Sequence, residues 1–417
     1  NHMNKYFAGI EKEWVDFTAK TVSFSPLSGE EKGVADFYLA ALEELGVECF
    51  RDGCGNVIGI IRGEGKGPDV LLNGHLDVVP EGDLSAWAPY KPFEATIDGR
   101  ELYGRGTSDM LAGLSSQFFA FKEIKKAVDK GAKLGGDLIF SAVVQEEPAE
   151  SLGGLYLFEK TFPEHNIHVD LVYLAEPTTG NVALGHRGKV ELVIDVHGKV
   201  AHSSSPQEGI NAVEKAQPII KAAFEGFNEP AMKHDRLGSS SMTITDVVVT
   251  PGKKYSCVPD LCEITLDRRY VPPATTADTI AQVQRCIDGL AAKDPEFKAE
   301  VHPRYNHRVC YTGYETTVAK QHPAWTTDRS NKYVERSFQV LRELGQDPAE
   351  WYWPGGTDGS IFCGAYGIPT IGYSSADMSQ AHQPREHVNI DNMVDCVEGY
   401  TAMLCDIYGI DFTQFTK

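Results

Sequence analysis

The strongest constraint on this chain is a series of short, wholly apolar runs, each stopped by Gly, Pro or Asp, with helical stretches between them. Runs at 57–61, 70–72, 138–144, 171–174 and 368–373 lack the alternation of a half-exposed strand. They predict strands buried on both faces, which is the pattern of α/β architecture. Residues 7–45 suit two helices, the second over 30–45. In 110–126, Leu111, Leu114, Phe118 and Phe121 share one helical face, with Asp109 at the start, where an acid is favoured.

The pattern changes after Arg187. Residues 190–196, 242–248 and 261–269 alternate apolar and polar, the mark of strands with one covered face. Val213, Ala216, Ile220, Phe224 and Phe227 are spaced for a helix, and 280–290 suits another. The buried-run pattern returns from about residue 311. The expected fold is therefore α/β. A mixed-sheet catalytic domain with helices on both faces (1–187 and 308–417) would carry an inserted α+β domain (188–307).

Composition excludes several roles. Asp and Glu outnumber Lys and Arg by 59 to 39, a formal charge of −20 that disfavours nucleic acid and anionic membranes as partners. No apolar run approaches the ~20 residues that span a bilayer, and the N-terminal stretch lacks the apolar core of a signal peptide. Asn1-His2-Met3 reads as a cloning remnant, with Met3 as the native start. Nine scattered cysteines, with no C-x-x-C pair, argue against thiolate zinc and disulfide frameworks and point to the cytoplasm.

Chemistry gathers at the ends of the apolar runs. Leu71-Leu72 leads into Asn73-Gly74-His75-Leu76-Asp77, and 138–144 leads into Gln145-Glu146-Glu147-Pro148. Run 171–174 leads into Ala175-Glu176-Pro177, and 368–373 into a loop reaching His382. A Gly-containing loop, 104–109, delivers Asp109. In α/β sheets ligands bind at the carboxyl ends of strands, so these residues are expected to converge. Two imidazoles with several carboxylates suit divalent Zn, Mn or Co. His75 and Asp77 are two apart and would face the same side, making Asp77 an orienter of His75. Glu146 and Glu147 are adjacent and would face opposite sides, one binding metal and the other deprotonating water. Gly355-Gly356-Thr357-Asp358 could offer N–H groups to a substrate carboxylate, or simply start a helix.

The motifs GHLDVVP (74–80), YGRGTSDMLAG (103–113), EEPAESLGG (146–154), AEP (175–177) and AHQPREHV (381–388) carry a family resemblance. So do GKVAHSSSPQEGINAV (198–213), LDRRYVP (266–272) and GGTDGS (355–360). Together they resemble the two-zinc metallopeptidase family of acetylornithine deacetylase, succinyl-diaminopimelate desuccinylase, aminoacylase and glutamate carboxypeptidase. The resemblance implies two metal ions bridged by Asp109, with His75 and Glu176 on one and His382 and Glu147 on the other. It implies Glu146 as general base, Asp77 as partner of His75, and Arg269 as holder of a substrate carboxylate. His202 would reach a neighbouring subunit's site, making the inserted domain a dimerisation lid and the protein a homodimer. Leu111 and Ala112 replace a Lys-Gly common in relatives, and Arg385 replaces a small acidic or amide residue. These departures bear on the substrate rather than on the metal site. The expected activity is amide hydrolysis of a small N-acyl amino acid or dipeptide-like substrate with a free carboxylate. Two rivals are a ureido or arylamine C–N hydrolase on the same scaffold and a catalytically silent metal-binding interaction protein.

Overall fold

The computed structural model describes residues 6–414; Asn1-His2-Met3, including the proposed start, lies outside the described residues. Helices α1 (Glu11–Ser23) and α2 (Lys32–Glu44) precede strands β1 (Glu48–Arg51), β2 (Val57–Ile61) and β3 (Val70–His75). Helix α3 (Ala112–Asp129) then leads to β4 (Leu138–Val143), β5 (Leu171–Leu174) and β6 (Val182–Ala183). A second set follows: β7 (Gly188–His197), α4 (Ala212–Phe224), β8 (Ser241–Thr250), β9 (Leu261–Tyr270), α5 (Thr276–Lys293), β10 (Lys298–Pro303) and β11 (Gln321–His322). The chain closes through α6 (Lys332–Glu343), β12 (Glu350–Trp351), β13 (Thr370–Tyr373) and α7 (Ile390–Tyr408).

The first sheet has the order β1-β2-β4-β3-β5-β13-β6-β12. Its centre, β4-β3-β5-β13, is parallel, while β1, β2 and β6 add antiparallel pairings, so the sheet is mixed. Every residue of β2, β3, β4, β5 and β13 is buried, which explains their largely apolar character. Side chains alternate between the two faces. Leu72 and Phe140 pack with Phe118 and Phe121 of α3 and Tyr400 and Leu404 of α7. Leu71, Ile139 and Val143 pack on the other face with Leu157, Phe162 and Phe362. Helices cover both faces, as expected.

The second sheet is antiparallel in the order β8-β9-β7-β10, with β11 also paired to β7. Val190, Leu192, Ile194 and Val196 of β7 and Cys262, Ile264 and Leu266 of β9 face a core with α4 and α5. The odd-numbered residues of β7 and β9 therefore turn to the opposite face. Strand β11 keeps the returning chain attached to this sheet beyond residue 307. Among the described residues, no helix is long and apolar enough to cross a membrane.

Two local expectations differ. The helix predicted from residue 110 begins at Ala112, because Asp109 (φ −122°, ψ 93°) and Met110 (φ −136°, ψ 33°) are not helical. Glu146 and Glu147 do not lie on an extended segment, since Gln145 turns the chain with φ 49°.

Phe140 is fully buried, with ring centroids 5.7–5.9 Å from those of Tyr38, Phe118 and Phe121. Phe140→Ala is expected to destabilise the fold by about 3–5 kcal/mol. Denaturant unfolding checks this, and an unchanged midpoint would contradict the packing described.

Candidate active site

Four chain segments deliver acids and imidazoles to the carboxyl end of the parallel strands. His75 is the last residue of β3; Glu146 and Glu147 follow β4, and Glu176 follows β5. His382 comes from the loop after β13, in the left-handed region at φ 64°. Such a conformation in a non-glycine residue is costly and clusters at functional sites.

Asp109 stands between the two imidazoles. Its Oδ1 is 3.1 Å from His75 Nε2, and its Oδ2 is 3.0 Å from His382 Nε2. Glu176 Oε1 is 3.0 Å from His75 Nε2, and Glu147 Oε2 is 3.1 Å from His382 Nε2. Potential donor atoms include His75–Asp109–Glu176 and Asp109–Glu147–His382 groups that share Asp109, and a His75–Glu146–Glu147 group, each within 4.8 Å. Glu146 Oε2 lies 3.4 Å from His75 Nε2. Contrary to the opposite-sides expectation, Glu147 Oε1 also comes within 4.0 Å of that nitrogen. The turn at Gln145 aims both carboxylates inward. Their partners still differ, because Glu147 alone reaches His382.

Two buried acids fix these segments. Asp77 Oδ1 lies 3.3 Å from His75 Nδ1, which is also 2.8 Å from the Asp77 carbonyl. The Asp77 carboxylate accepts the N–H groups of Glu146 and Glu147, both at 3.0 Å, and the Ser28 hydroxyl at 2.6 Å. It thus holds the glutamate turn as well as the histidine. Glu386 accepts N–H groups from Gly106, Ser108 and Asp109, each at 2.9 Å, and pairs with Arg105 at 2.9 Å. Glu386, rather than a helix cap, sets the position of Asp109.

The cluster forms one side of a cavity of about 220 Å³. The other side carries Lys189, Arg269, His322, Trp353 and the 355–357 turn. Arg269 lines the cavity while pairing with Asp267 at 2.8 Å, so it has both a neighbour and access to a ligand. A Cβ on Gly356 would approach His322 Cδ2 to 2.4 Å, so the turn needs glycine there. The Thr357 N–H is already donated to His186 Nε2 at 2.9 Å. His202 lies outside the cavity lining, on an exposed strand paired with Cys257–Val258, and sits 2.7 Å from Ser204 Oγ.

A family model described as peptidase family M20/M25/M40 matches residues 71–406. The chain belongs to this family. It is 29% identical over 392 residues to the uncharacterized protein YgeY of Escherichia coli K12, covering 93% of this chain and 92% of that protein. It is 25% identical to succinyl-diaminopimelate desuccinylase 1 of Alteromonas mediterranea, covering 90% and 92% of the two chains. A solved Bacillus subtilis protein, YXEP, titled a dinuclear metal binding peptidase of the M20 family, superposes with a TM-score of 0.69 at 15% identity, covering 96% and 99%. As an M20/M25/M40 member, the chain is a metal-dependent hydrolase of amide bonds.

Electrostatics explain why this M20 centre suits cations. Burial alone would lower the His75 pKa, but the charges of Glu176 and Glu146 outweigh it and hold it well above the ordinary range. Hydrogen bonds to Asp109 and Glu147 push His382 up to about 10. Burial pushes Glu176 up to about 7; burial and neighbouring acids also hold Glu146 and Glu147 well above the carboxylate range. Divalent cations compete with the protons retained by such a crowd. The donor set, imidazole and carboxylate without thiolate, fits them. Glu147 Oε1 is moreover buried without a hydrogen-bond partner, as a ligand oxygen would be.

The sequence reading gave no role to His186, Lys189, His322 or Glu386. Burial lowers the His186 pKa to about 4 and, with nearby cations, that of His322 to about 3, so His322 is a neutral part of the wall and His186 a neutral ring behind it, accepting the Thr357 N–H. Glu386→Ala would take the paired carboxylate from the buried Arg105 and leave three N–H groups without their acceptor. It is expected to cost about 3–5 kcal/mol. Denaturant unfolding measures this, and a loss below about 1 kcal/mol would show that other contacts hold the Asp109 loop.

Proposed function

We propose that this chain is a two-metal deacylase or exopeptidase for small N-acyl amino acids or dipeptides with a free carboxylate. The carrying observation is a single cavity lined both by residues of the shared-Asp109 cluster and by Arg269. That pairing suits a substrate whose scissile amide meets the acidic side while its carboxylate meets a cation. His75, Asp109 and Glu176 would hold one ion, and Asp109, Glu147 and His382 the other. Zn is the expected metal, with Mn and Co fitting the same donors. The ions supply polarisation of the substrate carbonyl and acidification of water.

Glu146 is the carboxylate near His75 that is left out of both shared-Asp109 groups. It acts as general base, taking a proton from the attacking water and returning it to the leaving nitrogen. Asp77 keeps that carboxylate in place through the Glu146 N–H. Arg269 aligns the substrate carboxylate, with the Gly356-Thr357 turn shaping the wall beside it.

The second sheet, with residues 188–307, is proposed as a lid through which two copies pair. Strand β8 is an edge strand exposing Val247 and Val248, which supports such pairing. In that dimer, His202 of the partner subunit would stabilise the developing oxyanion. All nine cysteines are free, which supports the cytoplasm as location.

Glu146→Ala is expected to keep two equivalents of metal and to lose about 10²–10⁴-fold in kcat. Metal analysis beside steady-state kinetics checks it; near-normal turnover would remove Glu146 from the role. Protein stripped by a chelator should be inactive, and Zn, Mn or Co should restore turnover on N-acyl amino acids and dipeptides. Activity that survived stripping would exclude the two-metal reading. Inactivity on the whole amide panel after reconstitution would point to another C–N bond.

A further inference from the structure

The basic side of the cavity has more charge than one substrate carboxylate requires. His322 of β11, Lys189 of β7 and Arg269 of β9 lie directly opposite one another across three adjacent strands. All three line the same cavity. Cross-strand neighbours stand about 5 Å apart, and like charges there are unfavourable. Lys189 opposite Arg269 is such a pair.

Nearby acids do not resolve it equally. Asp267 is engaged by Arg269 at 2.8 Å. Glu191, on the Lys189 side of β7, is taken by Arg304 at 2.5 Å and approached by Lys320 at 3.6 Å. The Lys189 side chain makes no hydrogen bond or ion pair among the described residues, although the residue is half-buried in the wall. Burial first, and then Arg269, disfavour its charged form. Asp267 and Glu191 favour that charge from a distance, but each is paired with another cation, so an anion entering the cavity can give Lys189 a partner of its own.

We propose that Lys189 is a specificity residue that selects substrates bearing a second carboxylate beyond the one aligned by Arg269. The inference rests on the cavity being the substrate site of the amide hydrolase. The second carboxylate can belong to the amino-acid side, as in N-acetylglutamate, or to the acyl side, as in N-succinylalanine. The wall chemistry is the same for both.

The test compares matched pairs on metal-loaded protein: N-acetylglutamate with N-acetylglutamine, and N-succinylalanine with N-butanoylalanine. Wild type should favour the diacid of at least one pair by about tenfold or more in kcat/KM, the scale of one charge-assisted hydrogen bond. The responding pair identifies the side that carries the second acid. Lys189→Met should bring that ratio to near one, and Lys189→Arg should retain most of it. Calorimetry with glutarate and butyrate gives a readout without turnover, in which glutarate should bind more tightly only while residue 189 is cationic. A ratio unchanged in Lys189→Met, equal loss on both members of a pair, or no glutarate preference would overturn the proposal. Lys189-dependent glutarate preference without any amide turnover would instead sink the proposed reaction and leave the dianion site standing.

Discussion

The structure is organised around one electrostatic problem: several buried carboxylates share two imidazole nitrogens. Asp109, Glu146, Glu147 and Glu176 all approach His75 or His382 within 3.4 Å, and each is less than a fifth exposed at its side chain. Two like charges about 4 Å apart repel by about 4 kcal/mol at an effective dielectric near 20. Four such groups cannot stay anionic together without positive charge among them. Protons on the imidazoles and carboxyls answer this partially, and divalent cations answer it more completely. The cluster is thus a binding site because it is a poor resting arrangement of charge.

Holding that arrangement together falls to residues at its edge. Asp77 ties β3 to the turn after β4, since one carboxylate faces His75 and binds two glutamate N–H groups. Glu386 performs a similar task for the 106–109 loop, from a position nearly 280 residues later in sequence. Neither needs to touch substrate to matter. Each converts a flexible loop into a fixed placement, which a centre of this kind requires.

The sequence made the centre legible and left its surroundings obscure, for a physical reason. A strand buried on both faces is apolar throughout, so the polar residue that ends it stands out; His75, Glu146 and Glu176 were found that way. The same local logic misjudged Glu146 and Glu147, because alternation holds only while backbone is extended and Gln145 is not. It also started α3 too early, because the acid that positions Asp109, Glu386, comes from remote chain. Lys189 shows the limit most clearly. The parity argument that set Arg269 on the outer face of β9 applies equally to β7, but their direct opposition is a matter of strand register. Register across residues 189, 269 and 322 has no signature in any short window of sequence.

The division of labour between the two sheets follows from this geometry. The acidic side of the cavity comes largely from the ends of strands in the buried centre of the first sheet, where a one-residue change would move several of the clustered acids. The basic side comes from the outer face of an antiparallel sheet, where side chains stand on a regular grid and can change singly without disturbing the core behind them. The proposed reaction chemistry would therefore sit on the part of the fold that tolerates least variation, and the proposed recognition on the part that tolerates most. On the proposed roles, such a hydrolase would change which acids it accepts by replacing one grid position, such as 189, while the residues proposed to hold cations and move the proton stayed as they are.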